Sequence, residues 1–217
     1  FVLLAGTGLL GLSFSRVLSV DPGFRPDHLL TGAVSLPWNN NKDEKQRLAL
    51  VERFAAALQA IPGVTAVGIS SGGPFSGSND DNALWIDGHA PQPGEAVQAH
   101  YTSGVAGDYF TAMGVPLREG RFLTTADSRA DDRVCVVDEE VARRYWPKGS
   151  AIGHRLSTEP PGADQKLYTI VGVVGAVKQN DLAEQKAKGA VYFAYKDYAS
   201  LGLTLEIRTT QAPEAAG

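Results

Sequence analysis

Cysteine is almost absent from this 217-residue sequence, in which Cys135 stands alone. A single cysteine excludes an internal disulfide, and it excludes zinc sites that are built from pairs of cysteines. Val134, Val136 and Val137 flank the thiol, and such a run of valines is typical of a buried strand. The pattern therefore favours an inert core thiol over a nucleophile.

Positive charge is not in excess either, because 20 Lys and Arg stand against 24 Asp and Glu, for a net charge of -4. No run of basic residues compensates for this locally, so we expect no nucleic-acid partner. The content of 43% hydrophobic and 20% charged residues is near the average of globular proteins. The chain is long enough for one large domain or two small ones, each with a hydrophobic core.

Spacings that are typical of catalytic and metal sites are missing. His28, His89, His100 and His154 form no H-x-x-x-H or H-E-x-x-H pair, and we expect them to be isolated surface residues. Serines stand between glycines in residues 68–72, but there a predicted strand leads into a loop instead of the nucleophile-bearing helix of a hydrolase. We therefore assign no catalytic, metal-binding or cofactor-binding residue, and we expect the protein not to be an enzyme.

Several weaker patterns have structural interpretations. Asp80-Asp81 and Asp131-Asp132 lack the alternating oxygen ligands and closing Glu of a calcium loop, which favours solvated turns. Residues 71–82 lack the P-loop pattern and are expected to form a linker or exposed loop. Gly172 to Gly175 lies inside a predicted strand, whereas a dinucleotide-binding glycine motif lies between a strand and a helix. Core packing is the default interpretation for the scattered aromatic residues Trp38, Trp85, Trp146, Tyr101, Tyr109 and Phe110.

The first residues carry no charge: Phe1 to Phe14 consists mostly of Leu, Val, Ala, Gly and Phe, and Arg16 is the first charged residue. A full membrane span needs about 20 apolar residues. The basic start and cleavage site of a signal peptide are not clear here. We favour the outer end of a transmembrane helix over residues 1–20, with a core helix as the alternative.

A β-α-β unit is predicted next, from a strand over 29–36, a helix over 42–61 with Asn41 as its N-cap, and a strand over 64–70. The helix is indicated by an apolar stripe at helical spacing, and Pro62-Gly63 ends it. Short strand-rich elements follow. We expect strands over 84–87, 100–103, 134–137, 152–156, 167–177, 191–195 and 203–208, and helices over 108–113 and 138–145.

Three stretches together resemble a known family. They are residues 9–30, residues 108–117 with Gly120-Arg121-Phe122 and Asp127, and residues 136–147 with 152–156 and 168–174. The last two resemble the MacB-like periplasmic core domain of MacB/FtsX-like ABC-transporter permeases. The first is similar to the helix exit before the second periplasmic domain of the duplicated, acidobacterial-type permeases. Two positions depart from the family pattern, since Asp138 stands where Asn is usual and Ala151 where Pro is usual.

The resemblance implies an α+β fold, with a split β-α-β porter-like lobe and an inserted, strand-rich (Sabre-like) lobe. The implied divisions are 1–20 for the end of the membrane helix, 21–76 for the first half of the porter-like lobe, 77–200 for the insertion, and 201–217 for the truncated start of the second half. A complete β-α-β-β-α-β lobe would need a further helix and strand, on the order of 25 to 35 residues. We therefore expect an uncovered sheet face that exposes Leu203, Leu205 or Ile207.

The function that the resemblance implies is mechanical. The domain would lie on the periplasmic side of the bacterial inner membrane and couple ATP-driven motion of membrane helices to efflux, or to lipoprotein or peptide handling. The implied partners are a cytoplasmic ABC ATPase, a periplasmic adaptor protein and the membrane. The alternative is a periplasmic solute- or peptide-binding module, which a convergent set of polar and aromatic residues in an interlobe cleft would favour.

Deleting residues 1–20 should improve the solubility of the protein without lowering its melting temperature. The reason is that an uncharged segment without a polar face is suited to lipid. Light scattering and a thermal melt of the full and shortened chains would measure this. Unfolding of the shortened chain would identify the segment as a core helix instead.

Overall fold

The computed structural model describes residues 20–37, 43–77, 80–89, 96–162, 165–182 and 188–210. Residues 1–19 of the expected membrane-helix segment lie outside these ranges, and so do Trp38 and Asn41. Within them, no helix has the length and apolar character that a membrane span requires.

Helices and strands alternate irregularly along the chain, and most elements fall within a few residues of the predicted ones. The described helices are α1 (Glu44–Gln59), α2 (Tyr109–Met113) and α3 (Glu139–Tyr145). The described strands are β1 (Leu29–Ser35), β2 (Val64–Ser70), β3 (Asp80–Ala83), β4 (Trp85–Ile86), β5 (Ala99–Gly107), β6 (Leu117–Gly120), β7 (Val134–Asp138), β8 (Arg155–Ser157), β9 (Tyr168–Val174), β10 (Ala190–Ala194) and β11 (Gly202–Thr209).

These strands form one continuous mixed sheet. Its order is β1-β11-β2-β5-β10-β7-β9-β8-β4, with β3 also paired to β5 and β6 to β9. We call α1 with β1, β2 and β11 the first lobe, and the remaining elements the second lobe. The predicted α+β class is confirmed.

The first lobe is held by apolar packing between α1 and one face of its three antiparallel strands. Val51 and Ile69 are fully buried there, beside Leu36, Leu203 and Tyr195. The helix begins later than predicted, at Glu44, because the carboxylate of Asp43 accepts a hydrogen bond from the Lys45 amide at 2.8 Å. Asp43 is therefore the N-cap, and the prediction of Asn41 is corrected.

The expected exposure of an apolar face on β11 is wrong, because none of the three side chains is exposed. Leu203 is 3% exposed and Ile207 is 8% exposed, while Leu205 is partly buried against the same core. The reason for Leu203 and Leu205 is that α1 and the segment before β11 pack against them. Apolar exposure occurs instead at Leu30 and Ile61, which are 46% and 50% exposed.

The second lobe has a core on each face of its central strands. Every residue of β7 and β10 is buried, as expected for strands covered on both sides. Cys135 and Phe193 face one core, whereas Val136 and Tyr192 face the other. Cys135 is fully buried, which confirms its predicted core position, and burial raises the pKa of its thiol.

Two local predictions need correction. Asp80 and Asp81 do not form a turn; they belong to β3, which pairs with β5 through Asp80↔Thr102 and Asp81↔Tyr101. The predicted strand over 152–156 shortens to β8, since residues 151–154 form a turn in which Gly153 has a φ of 83°. In both cases the partner strand, which local sequence does not reveal, decides where pairing begins.

Asp138 is the buried N-cap of α3, and its Oδ1 accepts a hydrogen bond from the Val141 amide at 2.9 Å. Desolvation raises the pKa of this carboxyl from 3.8 to about 7, against the opposing effect of backbone N–H donors. Between these values the native state binds a proton that the unfolded state does not. Stability from this group is therefore lost as pH rises from about 4 to about 7.

Asp138→Asn should remove this loss, because an amide keeps an acceptor for the cap without a buried charge. The difference in unfolding free energy between variant and wild type should grow with pH, by on the order of 1.4 kcal/mol per pH unit inside that window. Urea unfolding at pH 5, 6, 7 and 8 would measure it. Asp138→Ala, the control without a cap acceptor, should be about 1 kcal/mol less stable than the Asn variant throughout. Parallel pH profiles for wild type and Asp138→Asn would contradict this account.

Candidate functional site

The two lobes meet where β2 pairs with β5, and we call this region the lobe junction. The antiparallel register joins Gly68 to Gly107, Ile69 to Ala106 and Ser70 to Val105. Both glycines are required by close approach: a Cβ on Gly68 would lie 2.7 Å from Tyr109 Cα, and one on Gly107 would lie 2.5 Å from the Val67 carbonyl oxygen. Gly107 also has a φ of 64°.

The serines of the glycine-flanked stretch 68–72 have structural partners at this junction. Ser71 Oγ accepts a hydrogen bond from the Gly104 amide at 2.9 Å, and the Ser71 amide donates to the Gly104 carbonyl at the same distance. Ser70 Oγ donates to the Glu206 carboxyl at 2.6 Å. Both hydroxyls therefore join β2, or the residue that follows it, to a neighbouring strand. This agrees with the expectation of a loop without a nucleophile after β2.

Aromatic side chains from α2 support the junction from one face. Tyr109 and Phe110 are 2% and 3% exposed, and their rings make an edge contact with centroids 5.3 Å apart. Tyr192 packs against both rings, and Phe122 stacks on Phe110 at 5.1 Å. Burial is the main reason that the pKa of Tyr109 lies well above its usual value, and the nearby Tyr192 and Glu206 raise it further. The prediction of core packing for Tyr109 and Phe110 is confirmed.

A cavity of about 320 Å³ lies at the junction between α1 and the second lobe. Apolar side chains and backbone form most of its wall, and the charged residues Glu52 and Arg129 lie among the lining residues. Their side chains pair with each other: Arg129 Nη2 lies 2.9 Å from Glu52 Oε2, and Arg129 Nε lies 3.1 Å from Oε1. Because this pair satisfies itself, these two charges do not converge on a solute.

The segment that carries Arg129 is held by a second ion pair. Arg121 donates two hydrogen bonds of 2.8 Å to Asp127, and the amide and hydroxyl of Thr124 add bonds of 2.8 and 2.9 Å. The Arg121 hydrogen bond, helped by Thr124, lowers the pKa of the Asp127 carboxyl to about 2 despite burial. This arrangement holds residues 121–127 together as one turn, and the Arg121 amide attaches it to β9 by donating to the Val171 carbonyl at 2.9 Å.

Residues 20–28, which we call the entry segment, contact both lobes. Arg208 on β11 donates from Nε to the Ala112 carbonyl at 2.7 Å, and from its two Nη atoms to the carbonyls of Asp27 and Arg25 at 2.8 and 2.7 Å. The Arg25 amide donates to the Met113 carbonyl at 2.9 Å. Sequence reasoning missed Arg208, because an Arg on a strand carries no signal of such long-range partners.

The second lobe also holds the start of the entry segment. The Lys178 amide donates to the Pro22 carbonyl at 2.9 Å. Gly23, with a φ of 84°, packs so closely that a Cβ there would lie 1.9 Å from the Ala176 carbonyl oxygen. A side chain at position 23 would therefore push the entry segment away from the lobe.

Three of the four histidines lie around Tyr145 and Trp146, so they are not isolated as expected. His28, His89 and His154 are nevertheless exposed, which agrees with the expectation of surface residues, and His100 is the exception. His100 is fully buried, and its Nε2 lies 2.9 Å from the Tyr145 hydroxyl. His89 makes edge contacts with both aromatic rings, and His154 stacks on Trp146 with centroids 4.9 Å apart. The three come from different elements, so sequence spacing could not reveal the group.

The histidine group does not have the character of a metal site. Burial, which is the largest cause, and the charge of Arg144 lower the pKa of His100 to about 4, so its ring is neutral near pH 7. A neutral imidazole can bind a metal, but the Nε2 of His100 is already hydrogen-bonded to Tyr145. Aromatic rings separate the imidazoles from one another. Across the described ranges, no group of three or more His, Cys, Asp or Glu side chains could hold a metal ion.

Comparisons with known proteins agree with this architecture. The family described as the MacB-like periplasmic core domain matches residues 9–217. The periplasmic region of MacB from Actinobacillus actinomycetemcomitans is 14% identical, with a TM-score of 0.53 over 93% of this chain and 84% of that one. The extracellular domain of the noncanonic ABC-type transporter YknZ from Gram-positive bacteria is 12% identical, with a TM-score of 0.52 over 87% of each chain.

At these identities the two structures show a shared fold and nothing finer. None of the curated proteins has a sequence that matches the chain. The family match extends over nearly all described elements, from the entry segment to β11, and it agrees with the resemblance noted from the sequence. The chain therefore belongs to the MacB-like periplasmic core domain family of ABC-transporter permeases.

Proposed function

We propose that this domain transmits ATP-driven motion of membrane helices to the periplasmic side of the inner membrane, where the motion serves efflux or the handling of lipoproteins or peptides. The observation that carries the proposal is the attachment of the entry segment to both lobes. A displacement that enters through residues 20–28 reaches β11, α2 and the segment after β9 together. A solute-binding protein has no need of such an attachment.

The continuous sheet supports transmission through the domain as one unit. The β2–β5 pairing joins the lobes by backbone hydrogen bonds, and the close contacts at Gly68 and Gly107 leave no room for sliding. Elements that are packed and paired in this way move together as one rigid body. The motion would therefore be passed on at the far ends of the domain and not absorbed at the junction.

The division of the chain follows the same proposal. The order β1-β11-β2, with α1 on one face, fits three strands and one helix of a split β-α-β-β-α-β lobe. In this scheme residues 21–76 and 201–217 belong to the porter-like lobe, residues 77–200 to the inserted Sabre-like lobe, and residues 1–20 to the end of a membrane helix. The partners would be a cytoplasmic ABC ATPase, a periplasmic adaptor protein and the membrane.

The alternative of an interlobe solute or peptide site has less support. The surface of the junction cavity is mostly apolar, its ion pair between Glu52 and Arg129 is satisfied, and the Thr124 hydroxyl is bound to Asp127. The other polar residues that line it are Gln59, Asp108, Thr125 and Ser128. A solute site would instead present polar groups that converge on empty space.

Arg208→Gln should uncouple the entry segment from β11, because it removes the charged donors that bind three carbonyls. In the full-length permease, assembled with its ATPase in proteoliposomes, we expect transport to fall severalfold while ATP hydrolysis continues. The purified domain should stay folded and lose about 2 kcal/mol of stability. Arg155→Gln is the control, since the partner of Arg155 among the described residues is Asp87, which is exposed and does not belong to the entry segment.

Arg208→Lys gives a second test at the same position. Lysine keeps the charge but cannot reproduce the planar set of donors, so its transport should lie between wild type and the Gln variant. Amide hydrogen exchange at Arg25 would show whether the entry segment is released. Normal transport by a variant with a released entry segment would overturn the proposal.

The purified domain should show no turnover with esterase, phosphatase or peptidase substrates. The basis for this expectation is that the sequence has no catalytic spacing, and that the hydroxyls of Ser70 and Ser71 and the carboxylate of Glu52 have structural partners. Colorimetric assays of the wild-type domain would measure it. Turnover that a single substitution abolishes would show that the protein is an enzyme after all.

A further inference from the structure

A second and larger cavity, of about 550 Å³, lies on the face of the first lobe that is opposite α1. Its walls come from β1, β11, the entry segment, the end of α2 and the segment that follows β2. The residues that matter most here are Phe24, Leu29, Ala33, Phe75, Met113 and Glu206. Apart from Glu206, its walls are largely apolar.

Glu206 is the only ionisable side chain among the described residues that line this cavity, and it is 1% exposed. Its Oε1 accepts the hydrogen bond from Ser70, whereas its Oε2 is buried and has no hydrogen-bond partner among the described residues. A buried polar atom without a partner costs free energy. Because Glu206 lines the cavity, a small rotation of its carboxyl would bring Oε2 to a molecule that is bound there.

The surroundings of Glu206 contain few other ionisable groups. Its register partners are Thr31 on β1 and Gly68 on β2, and α2 contributes Tyr109. Burial raises the pKa of the Glu206 carboxyl to about 8, although the Ser70 hydroxyl and its own backbone amide act in the opposite direction. Arg208, two residues along the strand, is engaged with three backbone carbonyls. No described lining residue is a Lys, Arg or His that could neutralise the carboxylate.

The mouth of the cavity shows backbone strain. Phe75 has a φ of 59°, a conformation that a non-glycine residue adopts at some cost. Its amide donates to the Gln179 carbonyl at 2.7 Å, which holds it in place. The Phe75 ring is 42% exposed and lies 6.3 Å from that of Phe24. The two rings provide an apolar surface at the cavity.

We propose that this cavity binds an apolar molecule with one protonated amine, with the amine at Oε2 of Glu206 and the hydrocarbon part against Phe24, Phe75 and Met113. An ammonium group supplies the hydrogen bond and the charge that the carboxylate lacks. An anionic ligand would meet the carboxylate without a compensating cation. The proposal rests on the cavity alone and is independent of whether the domain transmits motion.

Octylamine is a suitable probe, with octan-1-ol and octanoate as matched compounds of the same chain length. Calorimetry on the purified domain should show tighter binding of octylamine than of octanol, and the weakest binding for octanoate. Because the amine must displace a proton from Glu206 below pH 8, its affinity should rise about tenfold from pH 6 to pH 7 and level off above pH 8. Octanol should not show this rise.

Glu206→Gln keeps the size of the side chain and removes its charge, so it should abolish both the preference for the amine and the rise with pH. Ala33→Phe, at an exposed position on β1, should fill the cavity and weaken binding of all three probes. Glu52→Gln, at the lobe junction, is the control and should leave binding unchanged. Amide shifts of Gly73 and Thr204 would place the bound probe.

Equal affinity of the wild-type domain for octylamine and octanol would overturn the proposal. So would undiminished, pH-dependent binding of octylamine by Glu206→Gln. If that variant does not fold, binding of octylamine by a folded Ala33→Phe variant as tightly as by the wild type would overturn it too. None of these outcomes would contradict the proposed transmission of motion, since that depends on Arg208 and the entry segment.

Discussion

Strand β5 is the constraint on which the rest of the structure depends. One of its edges is shared by two antiparallel partners, with β3 pairing to Ala99–Thr102 and β2 pairing to Val105–Gly107. Its other edge pairs in parallel with β10, the centre of the second lobe. Two lobes with separate cores are thereby joined by backbone hydrogen bonds instead of a linker. Gly68 and Gly107 make this possible, because any Cβ there would collide with the neighbouring backbone or with Tyr109.

The mechanical interpretation follows from how the entry segment is attached to this joined sheet. An apolar contact alone would allow residues 20–28 to slide, since apolar attraction has no direction. Hydrogen bonds from Arg208 and to Met113, together with the close packing of Gly23, fix both position and orientation. A domain that transmits motion needs attachments that resist displacement in a defined direction. Hydrogen bonds do this because they depend on angle as well as on distance.

Local signals were sufficient for most of the elements and for the family. Helix α3 with its cap at Asp138, the αL glycine after α2, and the buried valines of β7 all depend on residues close in sequence. The limits of β3 and β8 could not be predicted from local sequence, because they depend on pairing with β5 and β9. The gathering of His89, His100 and His154 around Tyr145 and Trp146 was missed for the same reason.

Glu206 shows that the polar face of a predicted strand is not always exposed to solvent. Along β11, Leu203, Leu205 and Ile207 alternate with Thr204, Glu206 and Arg208, a pattern typical of a strand with one face in water. In the structure α2 and the segment after β2 cover this second face, which buries the carboxyl and leaves the cavity beside it. Periodicity correctly separates the two faces of a strand, but only the tertiary packing determines which of them meets water. A group without any catalytic spacing can therefore still become the most strongly perturbed carboxyl of its lobe.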